Sequence, residues 1–334
     1  MDIEFLLFLQ QLREATFGLL DGFFLQLSVL AEPFYALAIM SVVYWCLDKA
    51  LGMYVLLGWG LNRLGNGFLK ITACVYRPWI RDPRVQPLDA AIEKATGYSF
   101  PSGHTTNAVS MYGGPALRRG VGHVMRLVLV ALTLLTGLSR NWVGVHTPQD
   151  VIVALLVGCG SMLLMGWVVD KVDERPDLDV VVAVIGIAAS IALIAYAALK
   201  TYPIDYDAAG EVLVDPQKMA NDSFKNAGWA LGVSIGWLCE RRFVRFTTDA
   251  SRELLLQRCL VGLIAFSLVY YPVTDLMKLL VPGGVGSSLG CFLQTLTIVW
   301  LVPAATTWWE RRHAADFQSG RQAGESAPEV GTAC

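Results

Sequence analysis

Two histidines and one aspartate in this chain stand at spacings that suit nucleophilic and acid–base chemistry. His146 and Asp150 are four residues apart at the start of an apolar run, and His104 follows a Pro-Ser-Gly triplet at the start of another. An imidazole titrates near neutral pH and can act as nucleophile, acid or base, while a carboxylate one helical turn away can fix its tautomer. These residues therefore predict a group-transfer site that uses both imidazoles.

Three cations and a hydroxyl accompany the histidines. Lys70 and Arg77 stand at the end of one apolar run, and Arg140 ends another. Lysine and arginine neutralise phosphate oxygens, and the guanidinium fork matches two oxygens at once. Ser102 and Gly103 begin a helix whose amide groups and positive end add donors for an anion. The combination predicts a binding site for a tetrahedral oxyanion.

The elements that position these side chains are predicted to be membrane-spanning helices. The chain has 334 residues, of which 54% are hydrophobic and 16% charged, whereas soluble chains carry about 25% charge. Apolar runs of about 20 residues, the length that crosses a bilayer, predict nine spans. The spans are 22–47, 51–76, 103–118, 124–139, 150–169, 179–199, 224–240, 257–281 and 286–309. The predicted fold class is all-α, a polytopic membrane helical bundle with a six-span core and about three extra C-terminal spans.

Basic residues cluster on one predicted face of this bundle. Alternating the direction of successive spans places together Lys49, Arg118, Arg119, Arg126, Lys171, Arg175, Arg241, Arg242, Arg245, Arg252, Arg258, Arg311 and Arg312. Short cytoplasmic loops accumulate Lys and Arg, so we expect this face to be cytoplasmic. The end of the second span, the start of the third and the junction of the fourth and fifth then emerge on the opposite face. The histidines, the aspartate and the three cations can therefore meet there.

The chain divides into four predicted parts. They are an interfacial amphipathic helix at 1–20, a catalytic membrane core at 21–200, a C-terminal membrane extension at 201–312 and a disordered tail at 313–334. Arg13 and Glu14 are expected on the polar side of the first helix. Seven cysteines have no paired spacing typical of a zinc site or a disulfide set, and nothing in the charge pattern suggests nucleic acid.

Two local arrangements follow from the sequence around the charged residues. Thr147 is predicted to cap a helix that has Pro148 in its first position, and Asp150 to complete a capping box within reach of His146. Lys70 and Arg77 are seven residues apart and are predicted to share a helical face that ends at the next proline. A further seven-residue step leads to Arg63, which with Asn62 and Asn66 could line a lipid path or form a buried polar contact.

The spacing of these residues resembles a known three-part signature. Six residues separate Lys70 from Arg77-Pro78, and PSGH occupies 101–104. Five residues separate Ser139-Arg140 from His146, and three separate His146 from Asp150. The residues at all eleven specified positions match, in order, the signature of the type 2 phosphatidic acid phosphatase superfamily. The chain therefore resembles the integral membrane lipid phosphatase branch of that superfamily. The GYSFPSGHT context and the long C-terminal extension resemble bacterial multi-span members. The last three spans lie outside the bundle that this family shares.

The resemblance implies metal-independent hydrolysis of a phosphomonoester or diphosphate without a cofactor. His146 would form a phosphohistidine, Asp150 would orient it, and His104 would protonate the leaving oxygen and then activate water. The phosphoryl oxygens would be held by Lys70, Arg77, Ser102, Gly103 and Arg140. The implied substrate is a lipid phosphate or polyprenyl diphosphate, with membrane lipids as the other partners. The implied location is a bacterial plasma membrane, with the active site on the extracytoplasmic side.

Other interpretations stay open at the level of sequence. A lipid-linked phosphotransferase would use the same phosphohistidine, and a phospholipid transporter would use the cations without turnover. Taken singly, Ser102 and Gly103 fit an ordinary helix cap, His146 and Asp150 fit a capping pair, and the arginines fit interfacial anchors. Their convergence on one face favours the catalytic interpretation. The lipid headgroup and the oligomeric state do not follow from the sequence.

Overall fold

The computed structural model describes the backbone of residues 2–325 and the side chains of residues 2–313. Its helices are α1 Asp2–Ala15, α2 Asp21–Leu30, α3 Pro33–Leu47, α4 Lys49–Ala73, α5 Pro78–Arg81, α6 Asp89–Ile92, α7 103–117, α8 His123–Trp142, α9 Pro148–Glu174, α10 Leu178–Leu199, α11 Pro216–Cys239, α12 Arg252–Leu280 and α13 284–325. In the described part of the chain, β pairing is limited to an isolated bridge between Tyr206 and Val212. The all-α prediction is confirmed, and each predicted apolar run is helical.

Five of these helices, α8, α9, α10, α12 and α13, are long and apolar enough to cross a membrane, and the protein is an integral membrane protein. The pair α2 and α3 is bent by 60° at residues 31–32 and forms a sixth span if it is counted as one. The remaining three predicted spans correspond to α4, α7 and α11. By length and apolar composition, these helices do not qualify as membrane-spanning. The helix α7 is short, whereas α4 and α11 carry polar side chains that face the interior of the bundle. The total of nine crossings therefore stays a prediction.

The helix α4 lies at the centre of the bundle and packs against α7, α9 and α11. Trp59 on α4 and Trp229 on α11 have ring centroids 5.4 Å apart. In a second contact between distant segments, the Trp45 indole of α3 donates to the Ile298 carbonyl of α13 at 2.8 Å. The C-terminal helices thus pack directly on the helices of the predicted catalytic core, and the boundary at residue 200 stays a prediction.

One local prediction is wrong. The helix α4 ends at Ala73 because Cys74 adopts a left-handed conformation with φ 47°, several residues before the proline that was expected to stop it. Arg77 therefore lies in an extended segment, with φ −64° and ψ 152°, and does not share a helical face with Lys70. The turn carries the Arg77 side chain toward the start of α9 instead.

The two ends of the chain also differ in detail from expectation. The first helix forms at Asp2–Ala15, but Arg13 is buried and donates to the Gln86 carbonyl at 2.7 Å, whereas Glu14 is exposed. Arg13 therefore faces the protein and not the polar side of that helix. The predicted disordered tail is helical in the structure as far as Glu325, and residues 326–334 lie outside the described residues.

Candidate active site

His146 lies in the short loop between α8 and α9, where it is buried beside Arg77. The Arg77 Nη1 donates to His146 Nε2 at 3.0 Å and to the Val145 carbonyl at 2.9 Å, and Arg77 Nε donates to the Gly97 carbonyl at 2.9 Å. Because Nε2 accepts this bond, the imidazole proton belongs on Nδ1. Burial, together with the Arg77 guanidinium, holds the pKa of His146 well below its usual range. The imidazole is therefore neutral and its Nε2 lone pair faces a cation.

Asp150 holds the other side of the imidazole. Its Oδ2 lies 3.3 Å from His146 Nδ1 and accepts from the Thr147 amide at 2.8 Å, while the Asp150 amide donates to Thr147 Oγ1 at 3.4 Å. The predicted capping box is confirmed, with Pro148 in the first helical turn. The helix start thus fixes the carboxylate, and the carboxylate in turn fixes the tautomer of the histidine.

Ser99 is a site residue that the sequence reasoning missed. Its hydroxyl donates to Asp150 Oδ2 and lies 3.3 Å from His146 Nδ1. It is buried two residues before the PSGH motif, and as an uncharged serine in a loop it has no spacing signal of its own. A buried hydroxyl that bonds both groups adds to the orientation of the pair.

Ser102, Gly103 and His104 begin α7 next to the start of α9. The Ser102 amide donates to the Asp150 carbonyl at 3.1 Å, and its Oγ accepts from the Thr105 amide at 3.4 Å as the predicted cap. The space beside the Gly103 Cα is unfilled, because a Cβ placed there would have its nearest neighbours, Arg63 Nη1 among them, at 4.0 Å. Among the described residues, the His104 ring makes no hydrogen bond and lines a cavity. Its ring nitrogens are therefore available to a ligand.

Lys70 supports the loop that carries these residues. Its Nζ donates to the carbonyls of Tyr98, Ser99 and Pro101 at 3.0, 3.3 and 3.1 Å. An ammonium has three protons, so these carbonyls occupy all of them. In this structure Lys70 holds the loop before PSGH in place, and contact with a phosphoryl oxygen would require one of these bonds to be exchanged.

Arg140 reaches the site mainly through its backbone. Its carbonyl accepts from the Val145 and His146 amides, each at 3.2 Å, which closes the loop that carries His146. Its Nη1 donates to the Ser28 hydroxyl on α2, and its Nε is buried without a partner in the described part of the chain. Asn141, a second residue missed from the sequence, donates to the His146 carbonyl at 2.9 Å. Loop closure and the long-range contact to α2 thus position this corner of the site.

A cavity of about 380 Å³ opens beside these residues. Its wall includes Lys70, Arg77, Gly103 and His104, together with side chains of α11, α12 and α13. Within the described residues, no group of three or more His, Cys, Asp or Glu side chains is placed to hold a metal ion. His104 lines this cationic cavity, and Arg77, another residue of its wall, bonds to His146 Nε2 at 3.0 Å. Such a cavity can bind a phosphate close to a nucleophile.

The sequence is similar to a known family and to several known proteins. The sequence profile of the PAP2 superfamily matches residues 51–174. Phosphatidylglycerophosphatase B of Bacillus subtilis is 32% identical over 135 residues, which are 37% of this chain and 59% of that protein. Undecaprenyl-diphosphatase BcrC of the same species is 29% identical over 172 residues, 50% of this chain and 83% of that protein. The bacitracin transport permease protein BcrC of Bacillus licheniformis is 28% identical over 148 residues, 41% of this chain and 66% of that protein.

The matched region coincides with the helices that carry the site. This chain spans about three fifths of the length of Phosphatidylglycerophosphatase B, and no solved structure matches it significantly. The segment 51–174 begins in α4 and ends with α9, and it contains Lys70, His104, His146 and Asp150. Through this segment, the chain is similar to the PAP2 superfamily.

Proposed function

We propose that the protein is a membrane phosphatase that hydrolyses a lipid phosphate or a polyprenyl diphosphate through a phosphohistidine on His146. The observation that carries the proposal is the placement of His146, with Nε2 3.0 Å from Arg77 Nη1 and Nδ1 turned to Asp150. A neutral imidazole with its lone pair directed at a cation is poised to attack a phosphorus atom whose oxygens that cation binds. The match of residues 51–174 to the PAP2 superfamily and the phosphatase names of two relatives support the same activity.

The first step forms the bond between His146 Nε2 and phosphorus and breaks the bond to the leaving oxygen. Arg77 Nη1 now donates to Nε2, so a phosphoryl oxygen would replace Nε2 as its acceptor when the substrate binds. His104, which lines the cavity, would give its proton to the leaving oxygen. The developing imidazolium is stabilised by Asp150, which Ser99 and the Thr147 amide hold in place.

The second step returns the enzyme to its starting state. His104 would take a proton from water, the water oxygen would attack phosphorus, and the bond to Nε2 would break with release of inorganic phosphate. Arg77, Arg140, Lys70, Ser102 and Gly103 are proposed to hold the phosphoryl oxygens as charge spreads over them. We propose no metal and no cofactor for either step, because cations and the amide groups at the start of α7 supply the positive charge.

We place the reaction at the extracytoplasmic face of a bacterial plasma membrane. The site lies where α4 and α8 end and α7 and α9 begin. The opposite ends of these helices carry basic residues such as Lys49, Arg118 and Lys171, as short cytoplasmic segments do. A lipid whose phosphate lies at the outer membrane surface could therefore reach the cavity.

The proposal is tested by phosphate release in detergent from a panel of lipid phosphates and diphosphates. His146→Ala should abolish release, whereas His123→Ala, which removes an exposed histidine at the other end of α8, should leave it unchanged. Size-exclusion profiles and thermal unfolding of both variants check that they are folded. Undiminished release by a folded His146→Ala variant would contradict the mechanism. Transfer of the phosphoryl group to an added lipid acceptor in place of water would identify a phosphotransferase.

A further inference from the structure

Arg63 is a buried cation that the proposed reaction does not use. It lies on α4 and lines the same cavity as His104. Its Nε is buried without a partner, and its Nη1 makes one long contact, 3.4 Å to Asn107 Oδ1. Within residues 2–313, no carboxylate lies within ion-pair distance of it. An unpaired charge inside a membrane protein is costly and usually marks a functional position.

The other cations of the cavity are satisfied. Each of three lysines there pairs with a carboxylate: Lys94 with Glu32 at 2.6 Å, Lys225 with Asp222 at 2.8 Å and Lys278 with Asp275 at 2.9 Å. Lys70 and Arg77 donate to backbone carbonyls. Among the cavity cations that the structure describes, Arg63 thus has the largest unmet capacity to donate to an anion.

The indole rings of two tryptophans fix the orientation of the Arg63 guanidinium. Its Cζ lies 4.7 Å from the ring centroid of Trp229 and 5.7 Å from that of Trp59. Trp229 belongs to α11, outside the segment that matches the family, and its indole donates to Gln294 Oε1 at 2.7 Å. Gln294 in turn donates to Thr274 at 2.8 Å. The C-terminal helices therefore build a rigid wall that holds the guanidinium while its polar edge remains free for a ligand.

Arg63 lies near the start of α7, which carries the proposed general acid His104. Its Nη1 is 4.0 Å from the position that a Cβ would occupy on Gly103, the residue before His104. In a diphosphate, the group attached to the leaving oxygen is itself a phosphate. A cation beside the proposed general acid is thus placed to bind that second phosphate, whereas a simple lipid phosphate has a carbon at this position.

We propose that Arg63, supported by Trp229, forms a second anion subsite that binds the lipid-proximal phosphate of a lipid diphosphate while the terminal phosphate lies at His146. This inference rests on the proposed function. The bond from His146 Nε2 to the terminal phosphorus forms as the bond from that phosphorus to the bridging oxygen breaks. The bridging oxygen takes a proton from His104 and leaves as part of a lipid monophosphate. Water then releases inorganic phosphate from the histidine.

The test compares the hydrolysis of a polyprenyl diphosphate with that of the monophosphate of the same prenyl chain. Arg63→Gln should lower kcat/KM for the diphosphate by about tenfold to hundredfold, the size expected for a lost charge-assisted hydrogen bond. It should leave kcat/KM for the monophosphate nearly unchanged. Arg63→Lys keeps the charge without the fork and should show a smaller loss. Arg118→Gln is the matched control, because Arg118 also stacks on an aromatic ring, Tyr54 at 5.0 Å, but lies at the other end of α7.

A second measurement separates failure of the subsite from failure of the proposed function. Inorganic diphosphate should raise the unfolding temperature of the wild-type protein more than inorganic phosphate does, and Arg63→Gln should remove that difference. Equal losses for both lipids, or no loss for either, would overturn the inference. So would a diphosphate-dependent stabilisation that Arg63→Gln leaves intact. A wild-type protein that hydrolyses neither lipid would instead contradict the proposed function, and the unfolding measurement would still decide on the subsite.

Discussion

Replacement of Asp150 by Asn isolates the role of one carboxylate in the site. In the structure, Asp150 Oδ2 accepts from the Ser99 hydroxyl and the Thr147 amide and faces His146 Nδ1 at 3.3 Å. Asparagine keeps nearly the same shape but has no charge to stabilise the imidazolium that would form in the proposed attack of Nε2 on phosphorus. Its amide nitrogen, if it faces Nδ1, also favours the wrong tautomer.

The size of the effect follows from burial. Both side chains are 2% exposed, so the interaction is little screened by water. Removal of one partner from a buried pair costs about 3–5 kcal/mol, and each 1.36 kcal/mol corresponds to a tenfold change in rate. We therefore expect kcat to fall by about 10² to 10⁴-fold. The assay is phosphate release at saturating substrate, with the unfolding temperature measured in parallel.

Thr147→Ala provides the matched control. It removes the hydroxyl that accepts from the Asp150 amide at 3.4 Å, at an expected cost of about 1 kcal/mol in stability, but keeps the carboxylate and the Thr147 amide. Activity should remain within a few fold of the wild type. If Asp150→Asn and Thr147→Ala had equally small effects on kcat, the carboxylate would act as a helix cap alone, and the assignment of Asp150 as the residue that orients His146 would be refuted.

Four further predictions follow from the same contacts. Ser99→Ala removes a hydrogen bond to a carboxylate and should lower kcat by about tenfold in the phosphate-release assay; an unchanged kcat would show that the hydroxyl is dispensable. Because the pKa of His146 is lowered in the folded protein, the unfolded chain binds a proton below about pH 6.5 that the folded protein does not bind. The free energy of unfolding should therefore fall as the pH drops through that value. His146→Gln should reduce this slope in thermal unfolding between pH 8 and 5, and an identical slope would contradict the burial argument. Gly232→Ala should destabilise the protein by about 1–3 kcal/mol, because the new Cβ would lie 2.4 Å from the Phe292 carbonyl and push α11 from α13; an unchanged unfolding temperature would contradict this close packing. Phosphate release should persist in excess chelator, and its loss would show that a metal takes part.

The parts of the site that the sequence predicted are those set by local geometry. The pair of His146 and Asp150 is one helical turn apart at a capped helix start, and such a start has recognisable residues in Thr147 and Pro148. The same holds for Ser102, whose cap is complete within three residues. The apolar runs also predicted each long helix, because a continuous apolar run of about 20 residues is typical of a membrane-spanning helix.

The parts that could not be predicted depend on distant packing or on an unusual backbone. Cys74 ends α4 in a left-handed conformation that normally calls for glycine or asparagine, so the sequence suggested a longer helix and misplaced Arg77. The bond from Arg140 to Ser28 joins residues that are 112 positions apart. Arg63 has a helical spacing to Lys70, which the sequence shows. The sequence does not show that its guanidinium stacks on Trp229 of α11, because this contact depends on how distant helices pack.

The phosphohistidine itself is the central claim, and it can be observed directly. The wild-type protein is mixed with a lipid diphosphate, quenched in alkali at a series of times and digested, and the peptide that contains His146 is examined by mass spectrometry. We predict one phosphoryl group on His146 during turnover, and none on this peptide in an unreacted sample. A phosphoryl group carried by another residue, or steady phosphate release from a protein whose His146 peptide stays unmodified at every quench time, would contradict it.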